Sequence, residues 1–320
     1  SGVAQDLVAL GAAFPLFLAL TVLHRHVDPG DQAAGQRGAP EVLGRERRIA
    51  HGGGHLAVDV GIDNVVVDAL KKQDSYRVIE TGGTGLIHQI NNFTALNSNT
   101  ESDAAIAAIA NADILTTSVG PNVLKFLAPL VVAGLKARKS SKPLVVMACE
   151  NAIRATDLFR AEIAALDSSV LEKAVYANTA VDRIVPPQKD GLGLDVLVES
   201  FSEWVIESSG LHGNTPSIPG ANFVSDLNPY IERKLFTVNT GHATLAYVGQ
   251  QHGCSTIVQA VNNSEVKEIV ANVLNETSQV LLRRHGFDPA EHAKSWHGQC
   301  RGAIKRAYVP WRQQLDGGIG

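Results

Sequence analysis

Asp113-Ile-Leu-Thr-Thr-Ser-Val-Gly-Pro-Asn-Val-Leu-Lys125, with Pro143-Leu-Val-Val-Met-Ala-Cys-Glu-Asn151 some twenty residues on, decides the fold. Asp113 to Ser118 is an apolar and β-branched run ending at Gly120-Pro121, and Pro143 to Ala148 is another, ending at Cys149-Glu-Asn151. Both have the length and composition of buried parallel strands bounded by turn residues. Between them, Val123, Leu124, Phe126, Leu127, Leu130 and Val131 recur at helical spacing over Asn122 to Lys136, the crossover that a βαβ unit requires. The class is therefore α/β, with a mostly parallel, Rossmann-like sheet. Ligands of such sheets bind at the carboxyl ends of the strands, which places Val119, Gly120, Asn122 and Asn151 at a binding edge. Gly120 lets backbone approach a bulky group, and the two asparagines offer amide donors and acceptors. The same residues also suit a plain strand-to-helix turn with Asn as a helix cap.

Further along, Tyr230-Ile-Glu-Arg-Lys-Leu-Phe-Thr-Val-Asn-Thr-Gly-His242 carries Lys234, Asn239 and His242. At about 100° per residue, Asn239 lies roughly 140° round a helix from Lys234 and His242 roughly 80° round, so the three share one broad face. A lysine whose pKa is drawn below about 10.4 by burial can take a hydroxyl proton while hydride leaves the same carbon. Asn239 and His242 would then hold the oxygen and stabilise its developing charge. An ordinary amphipathic helix end has the same residue types. Helical spacing resumes over Val266 to His285, through Val270, Val273, Leu274, Leu281 and Leu282, so the chain turns helical from about Thr215.

Several long words stand together in one order: Ser118-Val-Gly-Pro-Asn-Val-Leu-Lys125, Ala148-Cys-Glu-Asn-Ala152, Val181-Asp-Arg-Ile-Val-Pro186, Phe201-Ser-Glu-Trp-Val205 and Asn228 to Ala243 around the Lys-x4-Asn-x2-His core. From about His51 to Lys294 the chain resembles the polyol-specific long-chain dehydrogenases. The resemblance implies a dinucleotide-binding Rossmann-like domain over 51–208 and a mainly α-helical substrate domain over 209–294. It implies NAD-dependent, metal-independent interconversion of D-mannitol 1-phosphate and D-fructose 6-phosphate, with Lys234 as general acid/base and Asn239 and His242 orienting the oxygen. It also implies a substrate site drawn from Asn178, Asp182, Arg183 and Arg233. Asp182 would meet substrate hydroxyls or position Lys234, and Arg183, Arg233 or Lys125 would meet a phosphate. A salt bridge is the plainer role for Asp182 and Arg183.

The ends depart from that pattern. Residues 1–50 form an extension unlike the family, and 295–320 a divergent tail in which any basic residue of the family's missing portion is absent. Leu7 to Leu23 is an uncharged, mostly apolar run broken by Pro15, short for a membrane span of about 20 residues. No basic segment precedes it, so a secretory signal fits poorly. Arg47-Arg-Ile-Ala-His51 followed by Gly52, Gly53 and Gly54 resembles the family's first strand and glycine turn, but Val58-Asp59-Val60 already looks like the end of the second strand. The first βαβ unit is thus incomplete, and the helix whose N-terminus would face a pyrophosphate is missing. A replacement helix formed by Leu7 to Leu23 is one way to fill the gap. Asp59, at the family's acidic position, is expected to pair with the adenosine ribose hydroxyls and favour NAD; a strand-end turn residue is the alternative. Gly82-Gly-Thr-Gly85 is expected to lie in a hairpin or loop between strands.

The net charge of −4 and the lack of a basic, aromatic-interleaved run argue against a nucleic-acid partner. The three cysteines, Cys149, Cys254 and Cys300, make no paired framework and suit a reducing compartment, with the cytoplasm as the expectation. His242, His252 and Cys254 lack zinc-ligand spacing, so no metal is expected. A small-molecule substrate and a monomer are the expected partner and state. A second reading remains open: a catalytically impaired relative lacking a full cofactor turn and C-terminal substrate residues. A dehydrogenase of a non-phosphorylated polyol or a sugar acid is a further alternative.

Overall fold

A computed structural model describes residues 19–25, 55–61, 64–81, 85–183, 185, 188, 191–289 and 292. Within these, six strands build one sheet: β1 (Ala19–Arg25), β2 (His55–Gly61), β5 (Phe93–Asn97), β6 (Ile114–Ser118), β7 (Leu144–Ala148) and β8 (Ala174–Tyr176), in the order β5-β2-β1-β6-β7-β8. β2 and β5 are parallel, as are β6, β7 and β8. The expected βαβ unit is present, with a single 3₁₀ turn at Pro121–Val123 leading into helix α3 (Leu124–Ala137) as the crossover from β6 to β7.

Every residue of β7 is buried, as a strand covered on both faces must be. Its side chains alternate between two cores. Leu144, Val146 and Ala148 face Leu115, Leu124, Leu135, Phe159 and Ile163, the last two on helix α4 (Ala155–Leu166). Val145 and Met147 face Trp204, Ile206, Leu211 and Ile218. Each fully buried large apolar side chain contributes about 1.5–3 kcal/mol. Arg138, just past α3, is buried and donates to the carbonyls of Ala110, Ala112 and Lys142, which fastens the end of helix α2 (Ser102–Asn111) and the approach to β7.

The centre of the sheet differs from the sequence reading. The end of the apolar run Leu7 to Leu23 is strand, not helix: β1 lies between β2 and β6 and is antiparallel to both, with Thr21 opposite Asp59 and Thr116. The rest of that run, Gly52, Gly53, Gly54 and the tail from Ala293 lie outside the described residues.

Two smaller sheets flank the large one. In β10-β3-β4, strands β3 (Ser75–Thr81) and β4 (Ile87–Asn91) are antiparallel on either side of the Gly82–Gly85 cluster, as a hairpin requires, and β10 (Val196–Glu199) is parallel to β3. In β12-β11-β9, strand β11 (Glu203–Glu207) is antiparallel to β9 (Thr179–Asp182) and parallel to β12 (Ala221–Val224). β12 corrects the expectation of a helical chain from Thr215. Helices begin only at α5 (Asn228–Lys234), followed by α6 (Thr240–Gln251), α7 (Ile257–Asn262) and α8 (Ser264–His285). Leu245, Ile257, Ala260, Val266, Val270 and Leu274 form their core. Asn263 caps α8 by accepting from the Glu265 and Val266 amides, and Gly286, at φ 65°, ends it.

Candidate active site

Lys234 closes α5 and donates from Nζ to the Val181 carbonyl of β9 at 2.8 Å, so a strand of the sheet region fixes where the amine stands. Asp182, the next residue of β9, is 6% exposed. Burial pushes its carboxyl above the usual range, and the charge of Lys234 draws it part of the way back; Glu203 and Arg233 add smaller opposing effects.

Between Lys234 and His242 the helix is not regular. Leu235–Asn239 is a π-helical turn, in which the Thr240 amide bonds back to the Leu235 carbonyl five residues earlier. The Thr240 hydroxyl donates to the same carbonyl at 3.0 Å. A π turn absorbs one extra residue, so Lys234, Asn239 and His242 stand as i, i+4 and i+7 of an α-helix. In place of roughly 140° and 80°, Asn239 then lies roughly 40° to one side of Lys234 and His242 roughly 20° to the other, which is a single stripe. Asn239 is exposed and His242 half-buried. Burial alone holds the His242 imidazole below its ordinary pKa, so it meets a ligand at neutral pH as the uncharged ring.

The other expected substrate residues are engaged internally. Arg183 donates to the Glu199 carbonyl and to Glu80, with 2% of its side chain exposed. Arg233 pairs with Glu203 and is flanked by the rings of Tyr230 and Phe287 at 4.9 and 5.2 Å. Each guanidinium is thus paired with a carboxylate in this arrangement. Desolvation had to be met by a fixed carboxylate, because a buried unpaired charge is costly. Asn178 is 6% exposed; its Oδ1 accepts from the Asp157 amide at 3.3 Å and its Nδ2 donates to Glu207 at 3.5 Å, which ties α4 to β11. Lys125 remains at the surface over the Phe126 ring.

At the carboxyl edge of β6 and β7, Gly120 has φ 86°, a conformation that L side chains rarely adopt, and a Cβ built there meets nothing within 4 Å. Asn122 and Asn151 are exposed beside it, and Val119 is half-buried against the main core. The Glu150 carboxylate lies between the two strand ends, accepting from the Thr117 hydroxyl and from the Val119 and Gly120 amides. Cys149, which precedes Glu150, and Val181, whose carbonyl holds Lys234, pack on one apolar cluster around Met147 and Trp204. The edge and the lysine are thereby built on a shared core. Glu150, Glu203 and the π turn are absent from the sequence reading. Glu150 stood inside a recognised word, but nothing in a linear pattern reports a bond to amides 30 residues away.

Asp59 sits within β2, 4% exposed, and accepts the Thr21 hydroxyl at 2.7 Å. Burial raises its pKa to about 6, with the Thr21 bond acting the other way. In the backbone register of β1 and β2, His55 stands opposite Arg25, at the other end of β2 from Gly61. Among the described residues no group of three or more His, Cys, Asp or Glu could hold a metal ion, and no helix is long and apolar enough to cross a membrane.

Residues 44–220 match the family model of the mannitol dehydrogenase Rossmann domain, and 226–297 that of the mannitol dehydrogenase C-terminal domain. The mannitol-1-phosphate 5-dehydrogenase of Pseudarthrobacter chlorophenolicus is 50% identical over 244 residues, covering 75% of this chain and 63% of the relative. That of an Arthrobacter species is 49% identical over 267 residues, covering 82% and 69%. The chain thus spans about two thirds of the length of these relatives. Two solved structures share its fold: mannitol 2-dehydrogenase of Pseudomonas fluorescens in ternary complex with NAD and D-mannitol (TM-score 0.63, 19% identity, 79% of this chain and 63% of the other), and substrate-free D-sorbitol dehydrogenase (TM-score 0.65, 21% identity, 78% and 63%).

Proposed function

The chain belongs to the mannitol dehydrogenase family, and from that premise we propose that it is an NAD-dependent oxidoreductase interconverting D-mannitol 1-phosphate and D-fructose 6-phosphate without a metal. The names of its relatives support the substrate pair. The observation that carries the reading is the single stripe of Lys234, Asn239 and His242, with Nζ of Lys234 aimed by the Val181 carbonyl.

In the direction of oxidation, Lys234 is the general base that takes the proton of the substrate hydroxyl as the C–H bond at the same carbon gives up its hydride. NAD, when bound, supplies the acceptor for that hydride. Asn239 and uncharged His242 donate to the oxygen, holding it in line with Nζ and, in the reverse direction, stabilising the negative charge that grows on the carbonyl oxygen. Asp182, buried next to Val181, lies close enough to Lys234 for their charges to attract, and so helps to place the lysine.

The fit to NAD is uneven. At the β6–β7 edge the open face of Gly120 and the exposed amides of Asn122 and Asn151 suit a flat carboxamide ring and a ribose. The Asp59 carboxylate is turned to Thr21, away from solvent. That fact favours a second reading, a family member whose catalysis is impaired. The engagement of Arg183 and Arg233 likewise keeps a non-phosphorylated polyol or a sugar acid as the alternative substrate. We expect the protein to act on a small molecule as a monomer.

Incubating the chain with NADH and fructose 6-phosphate and following the product by ¹³C NMR tests the reading. Mannitol 1-phosphate should accumulate; an unchanged sugar alongside measurable NADH binding would direct attention to other ketoses, and no NADH binding would leave the impaired member.

A further inference from the structure

We propose that Glu150 is a positioning residue that clasps the loop after β6 and thereby sets the shape of the nicotinamide-facing edge, an inference that rests on the NAD-dependent reading above. Its Oε1 accepts from Thr117 Oγ1 at 2.6 Å and from the Val119 amide at 3.1 Å; its Oε2 accepts from the Val119 amide at 3.0 Å and the Gly120 amide at 2.7 Å. Glu150 belongs to the loop after β7, so this one carboxylate spans two neighbouring strand ends. Bonds from amides to an ionised acceptor are stronger than neutral ones.

The consequence for the edge is geometric. Because the peptide is planar and trans, turning the Gly120 N–H to Glu150 turns the Val119 carbonyl the opposite way and fixes the plane between them. Gly120 is thereby held at φ 86°, a value that the absence of a side chain permits but does not select. Asn122 follows two residues later and Asn151 is the neighbour of Glu150 itself, so the clasp fixes the relative placement of both exposed amides.

Glu150→Gln keeps the size of the side chain but replaces one acceptor oxygen with a nitrogen that cannot accept from an N–H. In the cofactor-free chain, hydrogen exchange of the Val119 and Gly120 amides should accelerate by about tenfold or more, as loss of a charge-assisted bond predicts. Exchange of the β7 amides, Val145 to Ala148, should stay as in the wild type. The NADH dissociation constant should weaken about tenfold while kcat at saturating NADH changes little, since the lost interaction affects binding rather than the step at Lys234. Thr117→Val, which removes one donor and keeps the fold, should show the same pattern more weakly.

Unchanged exchange at Val119 and Gly120 in the Glu150→Gln chain overturns the clasp. Acceleration that extends through β6 and β7 overturns it too, by showing general support instead of local positioning. A loosened loop with unaltered NADH affinity overturns the link to the cofactor. Failure of the wild type to bind NADH would instead defeat the functional reading, and the exchange arm, which needs no cofactor, would still decide whether the clasp exists.

Discussion

At Asp59 a carboxylate is enclosed by the centre of a sheet, with the Thr21 hydroxyl against it and its pKa raised to about 6 by burial. A carboxyl raised in this way binds its proton more tightly in the folded chain than in the unfolded one. Its contribution to stability is therefore fully present below the unfolded value of 3.8 and is lost as pH rises through about 6. A shift of that size corresponds to about 3 kcal/mol. Asp59→Asn should accordingly raise stability relative to the wild type at pH 7.5 and do so far less at pH 4.5, as urea unfolding at the two values will measure. A difference that does not grow with pH contradicts the burial. At the active-site stripe, Asn239→Ala should lower kcat by about 10²–10³-fold, the usual loss for one oxyanion donor, with NADH affinity unchanged. His242, held neutral by burial, should contribute no descending limb above pH 7 to the pH–rate profile, and His242→Gln should leave the profile's shape there unaltered.

The π turn over Leu235–Asn239 decides whether the catalytic helix has one face or a broad arc. If the turn supplies the register, deleting the partly exposed Phe236 and letting the segment close as an α-helix preserves the i, i+4, i+7 stripe. That deletion should retain a far greater share of activity than inserting one alanine at the same point, which moves Asn239 and His242 by about 100° relative to Lys234. Equal loss in both would remove the turn from the account. A tighter test of packing lies between α6 and α7, where a Cβ on Gly249 would stand 2.5 Å from that of Ala260. Gly249→Ala should destabilise by about 1–3 kcal/mol through overpacking, as read from the urea midpoint. The helix itself was legible from the spacing of Lys234, Asn239 and His242, but the π turn was not. Its mark in the sequence, the Thr240 hydroxyl bonded to the Leu235 carbonyl, is a local bond that a threonine can make in several helix contexts.

For the molecule as a whole, the β6–α3–β7 unit was legible because its strands are short apolar runs and its helix has a clear period, both local properties. The hairpin around Gly82–Gly85 was legible for the same reason. β1 was not. Its direction and partners are set by pairing with β2 and β6, distant in the chain, and an apolar run such as Leu20-Thr-Val-Leu23 has no period that separates strand from helix. A salt bridge was the plainer role for Arg183, but the partners of Arg183 and Arg233 escaped for a like reason, since Glu80 and Glu203 lie 103 and 30 residues away. An antiparallel strand at the centre of the sheet also bears on the cofactor. If only the nicotinamide edge is built, reduced nicotinamide mononucleotide should bind about as well as NADH in a fluorescence titration; a much tighter NADH would show that the adenosine half is held after all. The central claim, that Lys234 drives a polyol-phosphate dehydrogenase, is tested most directly by the initial rate of NADH oxidation with fructose 6-phosphate, with fructose and the Lys234→Ala chain in parallel. The account predicts a rate that requires the phosphate and falls by about 10²–10⁴-fold with the substitution; an equal rate from the folded Lys234→Ala chain would contradict it.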